Sequence, residues 1–207
     1  REDTFSHAVS EVARVLRSGG IVISPTDTIY GILGDATNES AVAKMFALKN
    51  RPPEKAFSIF VRDIAMARSY AYISDAKARL LERIWPGPVT VVFHHKEKLP
   101  RVLTGNLDTI GMRIPNNEFI TDVLKRLNAP VAHTSTNISN QPPAQNIAEI
   151  KGYFGKSKKQ PDLVMDGGEL GSQPSTVIDL TGNEPIILRT GMVTKEELDE
   201  LFKIVIE

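Results

Sequence analysis

Cysteine is absent from all 207 residues. That excludes disulfides, zinc–thiolate sites and thiol nucleophiles, and it fits a reducing compartment. Net charge is missing as well, because 25 Lys and Arg balance 25 Asp and Glu. A neutral chain exerts no global pull on nucleic acid or an anionic membrane, so any bound anion must be held by local placement of cations. No apolar run approaches the roughly 20 residues that a membrane span needs. The charged start Arg1-Glu2-Asp3-Thr4 is unlike a signal peptide. The expected setting is the cytoplasm, without membrane contact. Known chemical signatures are lacking too: there is no Gly-x-x-x-x-Gly-Lys-Ser/Thr loop, no dinucleotide fingerprint and no Gly-x-Ser-x-Gly. His94 and His95 are adjacent on an expected strand, so they face opposite sides and cannot share a metal. No nucleophile with its base emerges. Such a chain is left to work by positioning and charge neutralisation.

What is present is an ordinary globular composition, 41% apolar and 24% charged. The length suits one domain over residues 1–207. Thr4 is the expected N-cap of an amphipathic helix through Val9, Val12, Ala13 and Leu16, stopped by a left-handed turn at Gly19-Gly20. Strands are expected at 21–23, 57–61, 89–93, 109–114, 130–133 and 163–165, with a hairpin of 176–180 and 185–188. Between them the pattern predicts helices at 39–48, near 63–68, after Ser74 and at 118–127. A last helix at 195–203 follows a capping box of Thr194 and Glu197. Alternation early and hairpin-like pairs later predict a single α/β domain. Its twisted mixed sheet, parallel and antiparallel, would carry flanking helices and a concave binding face.

Ligands of open α/β sheets gather outside strand ends, and polar clusters fall at such ends here. Lys49-Asn50-Arg51 offers cations on alternate residues, and Ser135-Thr136-Asn137 offers a hydroxyl and a carboxamide at the same spacing. Together they describe a cradle for a polyanion with sugar or base edges. Further clusters are Ser24 to Thr28, Gly111 to Arg113, Ser175-Thr176 and Leu188 to Gly191. Arg113 and Arg189 each interrupt an apolar strand, and a buried arginine needs an internal carboxylate or an anionic ligand. Taken singly, each residue also has a plainer reading. Lys49 and Arg51 can complement a helix dipole. Ser135 and Asn137 can close a turn, and Thr26 with Asp27 a hydroxyl or Asx turn.

The order of the segments carries more. The chain runs through Gly19-Gly-Ile-Val-Ile-Ser-Pro-Thr-Asp-Thr-Ile-Tyr-Gly31, Lys49-Asn-Arg-Pro52, Trp85-Pro-Gly-Pro-Val-Thr90 and Gly111-Met-Arg-Ile-Pro115. It continues with Ser135-Thr-Asn-Ile-Ser139, Pro174-Ser-Thr-Val-Ile-Asp179 and Ile187-Leu-Arg-Thr-Gly191. In these it resembles the YrdC family, the threonylcarbamoyl-AMP synthases that start threonylcarbamoyladenosine synthesis in tRNA. The likeness spans Val9 to Met192, and the Lys-x-Arg and Ser-x-Asn pair is intact, unlike in paralogues of unsettled activity. It implies a short form without the C-terminal domain of longer members.

By this resemblance ATP, L-threonine and bicarbonate or carbon dioxide are the substrates, giving threonylcarbamoyl-AMP and pyrophosphate for position 37 of tRNA. Lys49 and Arg51 would be the catalytic pair and hold the triphosphate with Mg²⁺, without a protein metal site. Ser135, Asn137 and Arg189 would contact the nucleotide. Thr26, Tyr30, Arg113, His133 and Ser175 would form the threonine site, with Arg113 on the carboxylate. Expected partners are a downstream tRNA-modifying transferase complex and tRNA itself. Departures from the family pattern are Phe60 for a histidine, Pro143 for a serine, Pro174 for a glutamate, Ala56 for a proline and Thr190 for a proline. His133 stands where relatives carry a small or hydroxyl residue. The competing readings are a non-catalytic RNA-binding module and a carbamoyl-adenylate former acting on another amine. The site reading further predicts that Lys49→Ala and Arg113→Ala lose turnover while folding survives, because the partners of both are ligands.

Overall fold

The computed structural model describes the backbone of residues 2–206 and the side chains of residues 4–202. In chain order the elements are α1 (Glu2–Arg17), β1 (Val22–Ser24), β2 (Gly31–Asp35), α2 (Glu39–Lys49), β3 (Ser58–Phe60), α3 (Ile64–Tyr70), α4 (Asp75–Ile84) and β4 (Val89–His94). They continue as α5 (Arg101–Thr104), β5 (Thr109–Arg113), α6 (Glu118–Leu127), β6 (Val131–Ser135), α7 (Ile147–Phe154), β7 (Leu163–Val164), β8 (Thr176–Asp179), β9 (Ile186–Arg189) and α8 (Lys195–Ile206). One nine-stranded sheet runs β7-β1-β2-β6-β3-β5-β4-β8-β9. The pairs β1/β7, β3/β5 and β4/β8 are parallel; the other pairs are antiparallel. This is the expected α/β fold with a mixed sheet and flanking helices.

Strand alternation sends successive side chains to opposite faces, and here the two faces meet different fates. Ile23, Ile32, Ile59, Met112, Val91 and Ile178 join the larger buried cluster, which α2, α4, α7 and α8 complete with Phe46, Leu81, Phe154 and Leu198. The opposite face is covered only in part. There Val22, Leu33, Phe60 and Val131 pack against Val9, Val12 and Leu16 of α1 and Val123 and Leu124 of α6. Beyond that cover, Gly31, His133, Ser135, Ser58, Thr90, Arg113 and Arg189 look into an open cavity. A sheet face without a helical lid is what makes room for a site.

Local sequence accounts for most boundaries. Asn38, Asp63, Ser74, Asn117 and Asn146 each accept a backbone N–H from the first turn of the following helix. Thr194 Oγ1 accepts from the Glu197 N–H at 3.2 Å while Glu197 Oε2 accepts from the Thr194 N–H at 2.7 Å, the expected capping box. Gly19 stops α1 at φ +76°. Thr4 is not the N-cap: α1 already starts at Glu2. Helix α7 lies in a stretch where the sequence pattern predicts none, although Asn146 and Glu149 announce it. The Asn146 side chain accepts from the Glu149 N–H at 3.0 Å, and the Glu149 carboxylate accepts from the Gln145 N–H at 2.9 Å.

Candidate active site

The cavity measures about 290 Å³, at the lower edge of the range usual for small-molecule sites, about 300–1,000 Å³. Arg51, Arg113 and Arg189 line it, and no carboxylate does. Burial pulls all three guanidiniums down from their ordinary value; at Arg113 the nearby Asp27 opposes that shift and Arg189 adds to it. Three cations in a wall that carries no carboxylate, with Asp27 behind only Arg113, form a field suited to an anionic ligand.

The Lys49-Asn50-Arg51 segment reaches this cavity through one backbone device. Asn50 is left-handed at φ 50°, its N–H donates to Ala47 O, and the Arg51 N–H donates back to Phe46 O at 3.0 Å. This is a Schellman ending, and it sends the flanking cations to different places. Arg51 swings into the cavity wall. Its Nε donates to Lys55 O and its Nη2 to Ala56 O, each at 2.8 Å, and its guanidinium carbon lies 5.2 Å from the Phe57 ring centre. Lys49, 2% exposed, does not line the cavity. Its Nζ donates to Ser135 O at 2.6 Å, Ser135 Oγ at 3.2 Å, Asn137 O at 3.2 Å and Asn137 Oδ1 at 2.6 Å. Burial, then repulsion from Arg51, lowers its pKa to about 7, while four oxygen acceptors favour the ammonium.

The second cluster is thus organised from below. Ser135 Oγ donates to Asn137 Oδ1 at 2.7 Å, and Asn137 Nδ2 donates to Ile138 O and Gln141 O at 2.9 and 2.7 Å. Ser135 and Asn137 line the cavity with geometry set by Lys49 rather than by a ligand. The expectation that the partners of Lys49 and Arg113 are ligands does not hold for these contacts. Arg113 Nη1 donates to Asp27 Oδ1 at 2.9 Å, both side chains being almost fully buried, and Nη2 reaches Thr28 Oγ1 at 3.4 Å. Its Nε is buried without a partner. Asp27 therefore neutralises one edge of Arg113 and leaves the rest of the fork to the cavity.

The remaining expected residues gather around the same space. Thr26 Oγ1 donates to Ile29 O at 2.6 Å and closes the loop before β2. Tyr30 donates to Gly168 O at 2.7 Å and accepts from the Gly167 N–H at 2.9 Å, pinning the 167–168 strap. Ser175 Oγ lies 2.9 Å from Thr90 Oγ1, and Arg189 Nη2 donates to Ser175 O at 2.8 Å. Ring centroids of His133 and Phe60 stack 3.6 Å apart. Of the expected site residues, all but Lys49 line the cavity. So do four of the departures, Phe60, Pro143, Pro174 and Ala56. Sequence reasoning missed Asp27 as the holder of Arg113, and Thr90, Ser58 and Gln141 as wall residues. Alternation along β3 and β4 was the available signal for Ser58 and Thr90.

Among the described residues no group of three or more His, Asp and Glu could hold a metal. With no carboxylate in the wall, the cavity does not suit a resident Mg²⁺; such an ion fits only as part of a polyphosphate substrate, on phosphate oxygens and water. Among the described residues no helix is long and apolar enough to cross a membrane.

The fold and cavity define an α/β protein with an arginine-lined cavity on a half-covered sheet. Comparison with known proteins makes the assignment narrower. The chain belongs to the Sua5/YciO/YrdC family, whose model, described as telomere recombination, matches residues 14–191. The threonylcarbamoyl-AMP synthase of Pyrococcus abyssi is 36% identical over 97% of this chain, and the chain spans 59% of that relative. That of Klebsiella pneumoniae is 33% identical over 86% of this chain and 94% of its own length. Pyrococcus abyssi Sua5 complexed with L-threonine superposes with a TM-score of 0.87 at 33% identity, covering 93% of this chain and 56% of that one. Escherichia coli YciO reaches 0.83 at 28% identity, with 93% of each chain covered.

Proposed function

We propose that this protein is an L-threonylcarbamoyladenylate synthase, a nucleotidyltransferase supplying threonylcarbamoyl-AMP for position 37 of tRNA. The observation that carries the reading is a cavity with three guanidiniums and no carboxylate in its wall, set beside the Lys49-ordered Ser135–Asn137 turn. The names of the two synthase relatives and the L-threonine complex of Pyrococcus abyssi Sua5 support it.

In the reaction, the amine of threonine and bicarbonate or carbon dioxide give a carbamate. A carbamate oxygen attacks the α-phosphorus of ATP, and the bond from that phosphorus to the pyrophosphate oxygen breaks. Two anions must be brought together, so cations and exclusion of water matter more than a general base. Arg51, with Ser135 and Asn137, is placed for the triphosphate, and Mg²⁺ enters with that substrate. Arg189 serves the nucleotide. Arg113 takes the threonine carboxylate with the fork atoms that Asp27 leaves free, and Thr26, Tyr30 and Ser175 shape that end. Lys49 acts as a positioning residue for the Ser135–Asn137 turn. A cytoplasmic setting and delivery of the product to a tRNA-modifying transferase belong to the same proposal.

The test is mass spectrometry of the product from ATP, labelled bicarbonate and threonine, with pyrophosphate release followed in parallel. Release that needs both threonine and bicarbonate is expected. Turnover with a different amine, or tight RNA binding without turnover, replaces the reading by one of its competitors.

A further inference from the structure

A guanidinium at the end of a long side chain grips an anion well only when the fold already holds it in place. Arg51 is held from one side. Its Nε and Nη2 donate to Lys55 O and Ala56 O at 2.8 Å each, and the Phe57 ring centre lies 5.2 Å from its guanidinium carbon. Of the five N–H donors of a guanidinium, these bonds take two, and three remain for the cavity that Arg51 lines. Two backbone carbonyls in the loop between α2 and β3 therefore set the direction of the other three donors.

That loop leans on α5. The Lys55 N–H donates to Pro52 O at 3.1 Å, and the Phe57 N–H donates to Leu103 O of α5 at 2.9 Å. Leu103 is fully buried in the larger core cluster, so α5 is a fixed support. Gly105 follows as the C-cap of α5, left-handed at φ 60°. It meets the loop at close range: a Cβ there would stand 2.7 Å from Glu54 O, 2.9 Å from Glu54 C and 3.2 Å from Ala56 N. All three are backbone atoms, which cannot swing aside as the tip of a side chain can. A left-handed backbone alone would admit asparagine, and Asn50, Asn106, Asn128 and Asn140 take that conformation in this chain. At 105 the nearness of the loop leaves room for hydrogen only.

We infer that Gly105 is a positioning residue for polyphosphate binding: its missing side chain lets residues 54–56 close onto α5, so that the carbonyls of Lys55 and Ala56 aim Arg51 into the cavity. Gly105 is outside the cavity wall and acts through the loop. The inference rests on the synthase reading for the ligand of Arg51, and it deepens that reading by naming what preorganises the contact. A Cβ at 105 pushes the 54–56 backbone off α5 and takes the two carbonyls with it. The ligand then has to order Arg51 itself, and binding weakens.

The experiment is calorimetry with inorganic tripolyphosphate at low salt, a probe of the phosphate grip that needs neither threonine nor turnover. Gly105→Ala and Gly105→Asn are each expected to weaken its binding about tenfold relative to wild type. Asparagine accepts the left-handed backbone, so its effect reports the space at 105, and it serves where the alanine variant fails to fold. Each substitution is repeated on Arg51→Ala, where Arg113 and Arg189 remain to hold the probe. There it should change binding by less than about twofold, because its effect runs through Arg51. A merely structural lesion would weaken binding equally with and without Arg51, and that result overturns the inference. So do wild-type affinity in Gly105→Asn, failure of both variants to fold, and absence of tripolyphosphate binding by wild type. The synthase reading fails separately. If wild type binds the probe with this dependence on Gly105 and Arg51 yet releases no pyrophosphate from ATP with threonine and bicarbonate, that reading falls and the positioning role stands.

Discussion

Arg113 shows how one side chain can serve the fold and the site together. Its fork is shared between Asp27, at 2.9 Å, and the cavity. Removing a partner from a buried ion pair strands the other charge, at about 3–5 kcal/mol. Arg113→Ala is therefore expected to lose both turnover and stability, read as a fall in the urea midpoint. Arg113→Met with Asp27→Asn regains most of the stability while turnover stays absent. The carboxamide of that double variant keeps an oxygen for the Asn116 N–H, which Asp27 now accepts at 2.9 Å. Wild-type turnover in the double variant would remove Arg113 from the site. Lys49 gives a second test. Its folded pKa is about 7, below the unfolded value near 10.4, so between these values the unfolded chain binds more protons. Stability is then expected to rise with pH from about 7 towards 10, by at most about 1.4 kcal/mol per pH unit. Lys49→Met flattens that slope in denaturation curves taken across the range. The alternation of Lys49 and Arg51 was plain in the sequence, but not that only Arg51 meets the cavity. A left-handed Asn50 between them decides that.

At the level of the element, the end of α2 offers the sharpest test because it places both cations. Asn tolerates the left-handed region through local hydrogen bonding, and a branched side chain there costs roughly 1–2 kcal/mol. Asn50→Gly should keep stability within a few tenths of a kcal/mol and retain turnover. Asn50→Val should lower both, measured by denaturation and pyrophosphate release. If Asn50→Val behaved as wild type, the Schellman ending would not be what positions Arg51. Most elements could be read from the chain because their signals are local. Asn117 and Asn128 bracket α6 as N-cap and left-handed C-cap, and the Thr194–Glu197 box starts α8. The misses have physical causes too. Around α7 the prolines at 142 and 143 signal a loop and mask the cap that follows it. At α1 a good capping residue, Thr4, stands inside a helix that already starts at Glu2.

For the whole molecule, the uneven covering of the sheet matters most. Helices α1 and α6 shield one part of a face, and the arginine-lined cavity occupies what they leave. In a protein of zero formal net charge, the proposed anion binding rests on a local field alone. Raising salt should accordingly increase the KM for ATP while the stability of the unliganded fold changes little, because mobile ions screen exposed charges such as Arg189. Ligand linkage offers a complementary measurement. Threonine with a non-hydrolysable ATP analogue, each at about 100 times Kd, should stabilise by about 2.7 kcal/mol per ligand. For a chain of this size that raises the melting temperature by about 5–11 °C per ligand. No shift with either ligand would show that the cavity is not the site of both.

Local patterns in the chain were enough to specify its class, most of its helices and strands, and nine of the residues that line the cavity, since caps, alternation and motif order act over a few neighbours. The partners of those residues were settled by packing across long separations. Asp27 meets Arg113, Lys49 meets Ser135 and Asn137, and His133 lies on Phe60 because β2, β6, β3 and β5 stand side by side. Only the folded sheet sets which charges are spent on one another and which remain for a ligand, because that balance depends on distances and burial that no short stretch of sequence contains.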